Sequence, residues 1–88
     1  MKRNPQFIMR TVVDKQVIVP VGQAAADFHG MLAVNGTGAC IWELLAQETT
    51  EENLVAGILE QYDVAKEIAA LDVHNFLQKL RKVGALTE

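Results

Sequence analysis

The side chains in this 88-residue chain that are able to carry chemistry are few and scattered. The one cysteine, Cys40, lies in the apolar run Ala39-Cys40-Ile41-Trp42, where a thiol is expected to be buried and inert rather than a nucleophile or metal ligand. His29 and His74 are far apart, and neither has a His or Cys three or four residues away, so the spacing of a metal site is missing. Glu43, Glu48, Glu51, Glu52, Glu60 and Glu67 scatter along stretches of helical periodicity, the pattern of a solvated face. Gly36-Thr37-Gly38 would suit a phosphate at a helix start, but the long glycine-rich loop and the Lys-Ser/Thr pair of a P-loop are absent. Helix capping is the better reading. The expectation is a protein that is not an enzyme and holds no cofactor and no metal.

Composition narrows the class further. A chain of this length makes one domain, spanning residues 1–88, and buries only about 60–65% of its unfolded surface. Half of the residues are hydrophobic, enough for one core with apolar surface to spare for a partner. A net charge of −3 disfavours nucleic acid, whose binders present a basic face. No apolar run approaches the roughly 20 residues of a membrane span, and the basic start Met1-Lys2-Arg3 is not followed by a signal-peptide block. A cytoplasmic location is the default for a chain with one cysteine.

The elements divide at Val34-Asn35-Gly36-Thr37-Gly38. Upstream, apolar residues alternate or run in short blocks; downstream, they recur at helical spacing. Residues 1–6 are polar and expected to fray. Phe7 to Val13 reads as a strand, with Phe7, Met9, Thr11 and Val13 on one face and Ile8, Arg10 and Val12 on the other. A turn at Asp14-Lys15 leads to a second strand, Gln16 to Val21, whose Pro20 requires an edge or an end. Gln23 to Asp27 reads as a loop, and a third strand covers about Phe28 to Val34.

Three helices should follow. The first runs from Gly36 to about Gln47, capped by Asn35, with Gly38, Ile41, Trp42 and Leu45 on its inner face. The second begins at a Thr49–Glu52 capping box, with Thr50 as the competing cap, and carries Leu54, Val55, Ile58, Leu59 and Tyr62. Gly57 within it implies a close helix contact. The third, roughly Ala65 to Val83, buries Ala69, Val73, Phe76, Leu77, Leu80 and Val83, and Gly84 ends it as a left-handed cap. Ile68, Asp72, Asn75 and Lys79 line one flank of that stripe, facing solvent or a groove.

Several segments together resemble the PqqD family: Val-Pro-Val-Gly at 19–22, Leu32 to Ala39, Ile41-Trp42-Glu43-Leu44-Leu45, Thr50 to Leu54, and the closing run through Asp72-Val73, Phe76-Leu77, Leu80 and Gly84-Ala85-Leu86. The resemblance spans about residues 7–86. It implies a small α+β, winged-helix-like domain, a three-stranded antiparallel sheet followed by three helices. It also implies a peptide chaperone, or RiPP recognition element, that binds the leader segment of a ribosomally made precursor peptide. The leader adds to the third strand, in the groove against the third helix, and is presented to a modifying enzyme, often a radical SAM protein. On this chain the implied contacts are Phe28, Met31, Leu32, Ala33 and Val34 from the strand, and Ile68, Asp72, Asn75, Phe76 and Lys79 from the helix. Val21 after Pro20, where members serving pyrroloquinoline quinone synthesis usually carry an acidic residue, and Ala46-Gln47-Glu48 in place of the glycine after the first helix suggest a different peptide.

Two other classes share this architecture. A winged-helix nucleic-acid regulator would lay the third helix in a major groove, but its basic residues Lys79, Arg81 and Lys82 cluster at one end. A structural subunit docked on a larger enzyme would bind no peptide. The chain is expected as a monomer or, through an open strand edge, a dimer.

Overall fold

In a computed structural model, which describes residues 1–27, 30–34 and 36–88, the order is β1 (Lys2–Arg3), β2 (Phe7–Val12), β3 (Lys15–Pro20), α1 (Ala24–Asp27), β4 (Leu32–Val34), α2 (Gly38–Leu44), α3 (Glu51–Gln61), α4 (Lys66–Val83) and β5 (Leu86–Thr87). The main sheet is antiparallel in the order β2-β3-β4. One face of it packs on the helices and buries Phe7, Ile18 and Val34; Phe7 falls on the opposite face from Ile8, as expected for the first strand. The other face leaves Ile8 and Val12 exposed but buries Val17 of the central strand.

The first turn lies one residue earlier than its composition suggests. Val13-Asp14, not Asp14-Lys15, joins the strands, because the register that sets Met9 opposite Ile18 requires it. A one-residue slip would turn the buried side chains to the wrong face. The consequence falls on Val13, which is 93% exposed and held at φ +61°, a conformation that β-branched residues avoid. Such strain costs of order 1–3 kcal/mol. Replacing Val13 by Gly relieves it at the expense of about 0.5–1 kcal/mol of chain entropy. The expected result of Val13→Gly is a net gain of about 1 kcal/mol, read as a higher midpoint in calorimetric melting.

Ladder alternation shows which backbone groups are spent. The Val21 N–H donates to the Gln6 carbonyl at 2.7 Å, so every second pair inward from it is bonded: Ile8↔Val19, Arg10↔Val17 and Val12↔Lys15. Pro20 then stands in a non-bonded pair with Phe7, where its missing N–H harms nothing. Its own position in the ladder faces β4 instead, and continuing that register sets it opposite Gly30. With no donor there, β4 is only three residues long, shorter than the expected strand from Phe28. Phe28 and His29 lie outside the described residues, as does Asn35, the expected cap.

The helices follow their apolar periodicity, with changes at the ends. In α2, Gly38, Ile41 and Trp42 are buried, and Leu45 just beyond it is fully enclosed. Thr37 occupies its N-cap position without a side-chain bond. The cap of α3 is Thr50, whose Oγ1 accepts from the Asn53 N–H at 3.1 Å; Thr49, half of the expected capping box, instead donates its N–H to the Met1 carbonyl. Leu54 and Ile58 are the buried pair of α3, whereas Leu59 and Tyr62 remain partly exposed. Gly57 does mark a close contact: a Cβ there would stand 2.6 Å from Leu44 Cδ1. Helix α4 buries Ala69, Val73, Phe76, Leu77 and Leu80 and ends at Gly84, φ +82°. The Ala85 N–H reaches the Leu80 carbonyl and the Gly84 N–H reaches that of Arg81, a Schellman closure.

Two expectations fail for one physical reason, the need to satisfy backbone groups at element ends. Residues 23–27 form a helical turn rather than a loop, because the Ala24 N–H donates to Gln6 Oε1 at 2.7 Å and Ala24 packs on the core. The N-terminal residues are not frayed. β1 pairs with β5, the Arg3 N–H donates to the Leu45 carbonyl, and Asn4 donates to the Ala85 and Gly84 carbonyls. These are carbonyls at the C-terminal ends of α2 and α4, which lack helical partners. Arg3 also places its guanidinium 5.4 Å from the Trp42 ring centre and bonds the Trp42 carbonyl at 3.0 Å.

Candidate functional site

The site begins with the short strand β4. Because Val17 spends its backbone groups on β2, the Val17↔Ala33 pair is a non-bonded one. The N–H and C=O of Ala33 therefore point away from β3, to the open edge of the sheet. Leu32 and Val34 bond inward to Ile18 and Gln16. Among the described residues no strand pairs with that outer edge.

Helix α4 and the start of α2 supply the opposing wall. Gly36, Thr37 and Gly38 face Asp72, Asn75, Phe76 and Lys79 across a cleft of about 210 Å³. Asn75, Phe76 and Lys79 lie three, four and seven residues after Asp72, on one side of the helix. Gly38 is what lets the walls approach: a Cβ there would stand 3.0 Å from Val34 Cγ1 and 3.2 Å from Phe76 Cε1. Val34, Gly38 and the Phe76 ring thus form an apolar floor, with Asp72, Asn75 and Lys79 as an exposed polar rim. A larger cleft, about 600 Å³, adjoins at Gly36 and is bordered by Ala33, Val34, Ala39 and the β2–β3 hairpin. Both are lined by Gly36, and together they make a trough from the C-terminal end of β4 to α4.

The expected contact residues distribute unevenly in it. Asp72, Asn75, Phe76 and Lys79 converge on the smaller cleft. Phe76, 8% exposed, is both core and cleft wall. Ile68, 51% exposed, lies one helical turn before Asp72 and outside the lining. Val34 is buried in the core, Leu32 packs partly against it, and Ala33 and Met31 are exposed. Phe28 lies outside the described residues. Thr37 was not among the expected contacts, although its hydroxyl makes no cap bond and borders the cleft. The Gly-Thr-Gly spacing between strand and helix carried that signal: small residues at a junction allow close approach of backbone to a guest.

Reactive groups are not gathered here. Cys40 is buried in the core, and burial first, then the nearby Glu43 carboxylate, push its thiol above the usual range. His74 is exposed and 3.4 Å from Glu51, on a different flank of α4 from the cleft. Among the described residues no group of three metal-ligating side chains occurs, and no helix is long and apolar enough to cross a membrane. What the trough offers is unpaired backbone, an apolar floor and opposite charges at its rim. These are the means of holding an extended chain.

Comparison with known proteins agrees with this geometry. The family model described as coenzyme PQQ synthesis protein D (PqqD) matches residues 15–86. No curated protein matches the chain. Two solved structures share its fold. One, TbiB1 in complex with the TbiA(beta) leader peptide, is 23% identical with a TM-score of 0.73, covering 98% of this chain and 94% of its own. The other, a lasso peptide synthetase B1 complexed with its leader peptide, is 16% identical with a TM-score of 0.72, covering 99% and 96%.

Proposed function

The chain belongs to the PqqD family, and from that membership and the trough beside β4 we propose that it is a non-catalytic, cytoplasmic chaperone for a ribosomally made precursor peptide. The leader segment adds as a strand to the outer edge of β4, and the chain presents it to a modifying enzyme of the radical SAM type. The single observation that carries this is the pair of outward Ala33 backbone groups beside the α4 cleft. Strand addition supplies main-chain hydrogen bonds, and side-chain pockets supply the choice of partner. Here Phe76 and Gly38 would seat an apolar leader residue, while Asp72 and Lys79 select its polar neighbours. Both solved relatives are complexes with leader peptides, which supports the same use of the fold.

The test is a titration of the isotope-labelled chain with the synthetic leader segment of any short precursor peptide found encoded near its gene. Resonance shifts are expected along residues 31–38 and 68–79. Asp72→Ala should weaken binding by about threefold to tenfold, the loss of one charged contact. Saturating leader with no shift in either segment refutes the assignment. A steep salt dependence for duplex DNA would instead favour the nucleic-acid reading.

A further inference from the structure

We propose that the outward face of the β2-β3-β4 sheet is the surface that engages the modifying enzyme, and that the bound leader forms part of it. This rests on the leader reading above, since it uses the strand that the leader extends. Strand register sets two rows of outward side chains, Arg10–Val17–Ala33, in which Val17 is buried, and, by continuation, Ile8–Val19–Met31, in which Val19 is half-buried. Ile8 and Met31 are exposed, Met31 by 61%, as is Val12 in the next row. The hairpin tip continues the patch with Val13, which is strained as well as almost wholly exposed. An apolar residue that hydration and backbone both disfavour is the kind that a contact retains.

Charge selects the occupant. The ionisable side chains of these rows and the next are Arg10 and Lys15, with Asp14 at the hairpin tip, a net basic balance in a chain of net charge −3. A second copy packed row on row, with a two-fold axis at the Arg10–Val17–Ala33 row and across the strands, would set Arg10 against its own equivalent, which repels. The face instead fits a different protein, one with an apolar centre and carboxylates placed for Arg10 and Lys15. A leader strand added to β4 continues both rows at about 4.8 Å spacing, so its alternate side chains emerge beside Met31 and Ala33. An enzyme covering the rows then touches chaperone and peptide together, and grips the loaded chain more tightly than the empty one.

The experiment uses the full chain, the synthetic leader and a purified radical SAM enzyme from the same source. Ile8→Asp and Arg10→Glu should each leave leader affinity within twofold and weaken enzyme binding at least tenfold. Leader should tighten enzyme binding to the wild-type chain at least threefold. If leader binds but both variants hold the enzyme as the wild type does, the outer-face proposal falls and the β4 reading stands. If leader fails to bind the wild-type chain, both fall. Self-association abolished by Ile8→Asp, or co-sedimentation of the wild-type chain with phosphatidylglycerol vesicles, would also overturn it in favour of a second copy or a lipid surface.

Discussion

Ala33→Pro should weaken leader binding at least tenfold while leaving the melting temperature within a few degrees of wild type. The prediction follows from the direction of one backbone group. The Ala33 N–H faces the open edge, so proline there removes no bond of the β3–β4 ladder. An edge strand tolerates proline for that reason. A guest strand loses a main-chain bond worth about 1 kcal/mol and meets the ring where its carbonyl would approach. Tenfold is about 1.4 kcal/mol, within reach of those two effects together. Leu32→Pro is the matched control one residue away. Leu32 bonds inward to Ile18, so proline there breaks the ladder and should lower the melting temperature by ten degrees or more. Fluorescence anisotropy with a labelled leader, beside thermal melting, separates the two. Equal leader affinity in Ala33→Pro and wild type would place the guest elsewhere.

Trp42→Ala should be the most destabilising single truncation. The indole is 2% exposed, packed in the core beneath the Arg3 guanidinium. Removing a buried Trp side chain costs about 3–5 kcal/mol. A domain of this size has only roughly 4–13 kcal/mol in total, at 0.05–0.15 kcal/mol per residue. The expected fall in melting temperature is about 15–30 °C, measured by circular dichroism. Arg3→Ala, which loses the ring contact and the bond to the Trp42 carbonyl, should cost far less, about 1–2 kcal/mol. A variant that melted like wild type would show that the α2 core tolerates a void, contrary to the close packing of Trp42 with its neighbours.

How the chain positions its trough was partly legible before any coordinates. Alternation set Phe7 on the face opposite Ile8 in the first strand, but the β-branched run Val17-Ile18-Val19 carries no period-two signal, and both Val17 and Ile18 are buried. Gly38, Ile41, Trp42 and Leu45 announced a buried helix through period 3.6, and the structure buries all four. Ile68, Asp72, Asn75 and Lys79 were recognisable as one helix flank from their i, i+4, i+7 and i+11 spacing, beside Phe76 on the core stripe; Ile68 falls outside the cleft, and Asp72, Asn75, Lys79 and Phe76 line it. That three of them are exposed and the fourth half-shared with the core follows from the same periodicity.

The rest depended on partners distant in the chain. Periodicity speaks of a residue's face but not of which backbone group finds a donor. Only the register with β3 shows that Ala33 points its N–H and C=O outward and that Pro20 ends the ladder. Thr50 displaced Thr49 as a cap because Thr49 met Met1, some 48 residues away. The N-terminal segment, polar and seemingly unattached, is held by carbonyls at the ends of α2 and α4. Sequence determined the three main strands, the three longer helices and most of the helices' buried faces, since those are set by local spacing and the hydrophobic effect. Tertiary structure decided where the free edge lies and what stands beside it, because hydrogen bonds between distant segments are satisfied only after the chain has closed on itself.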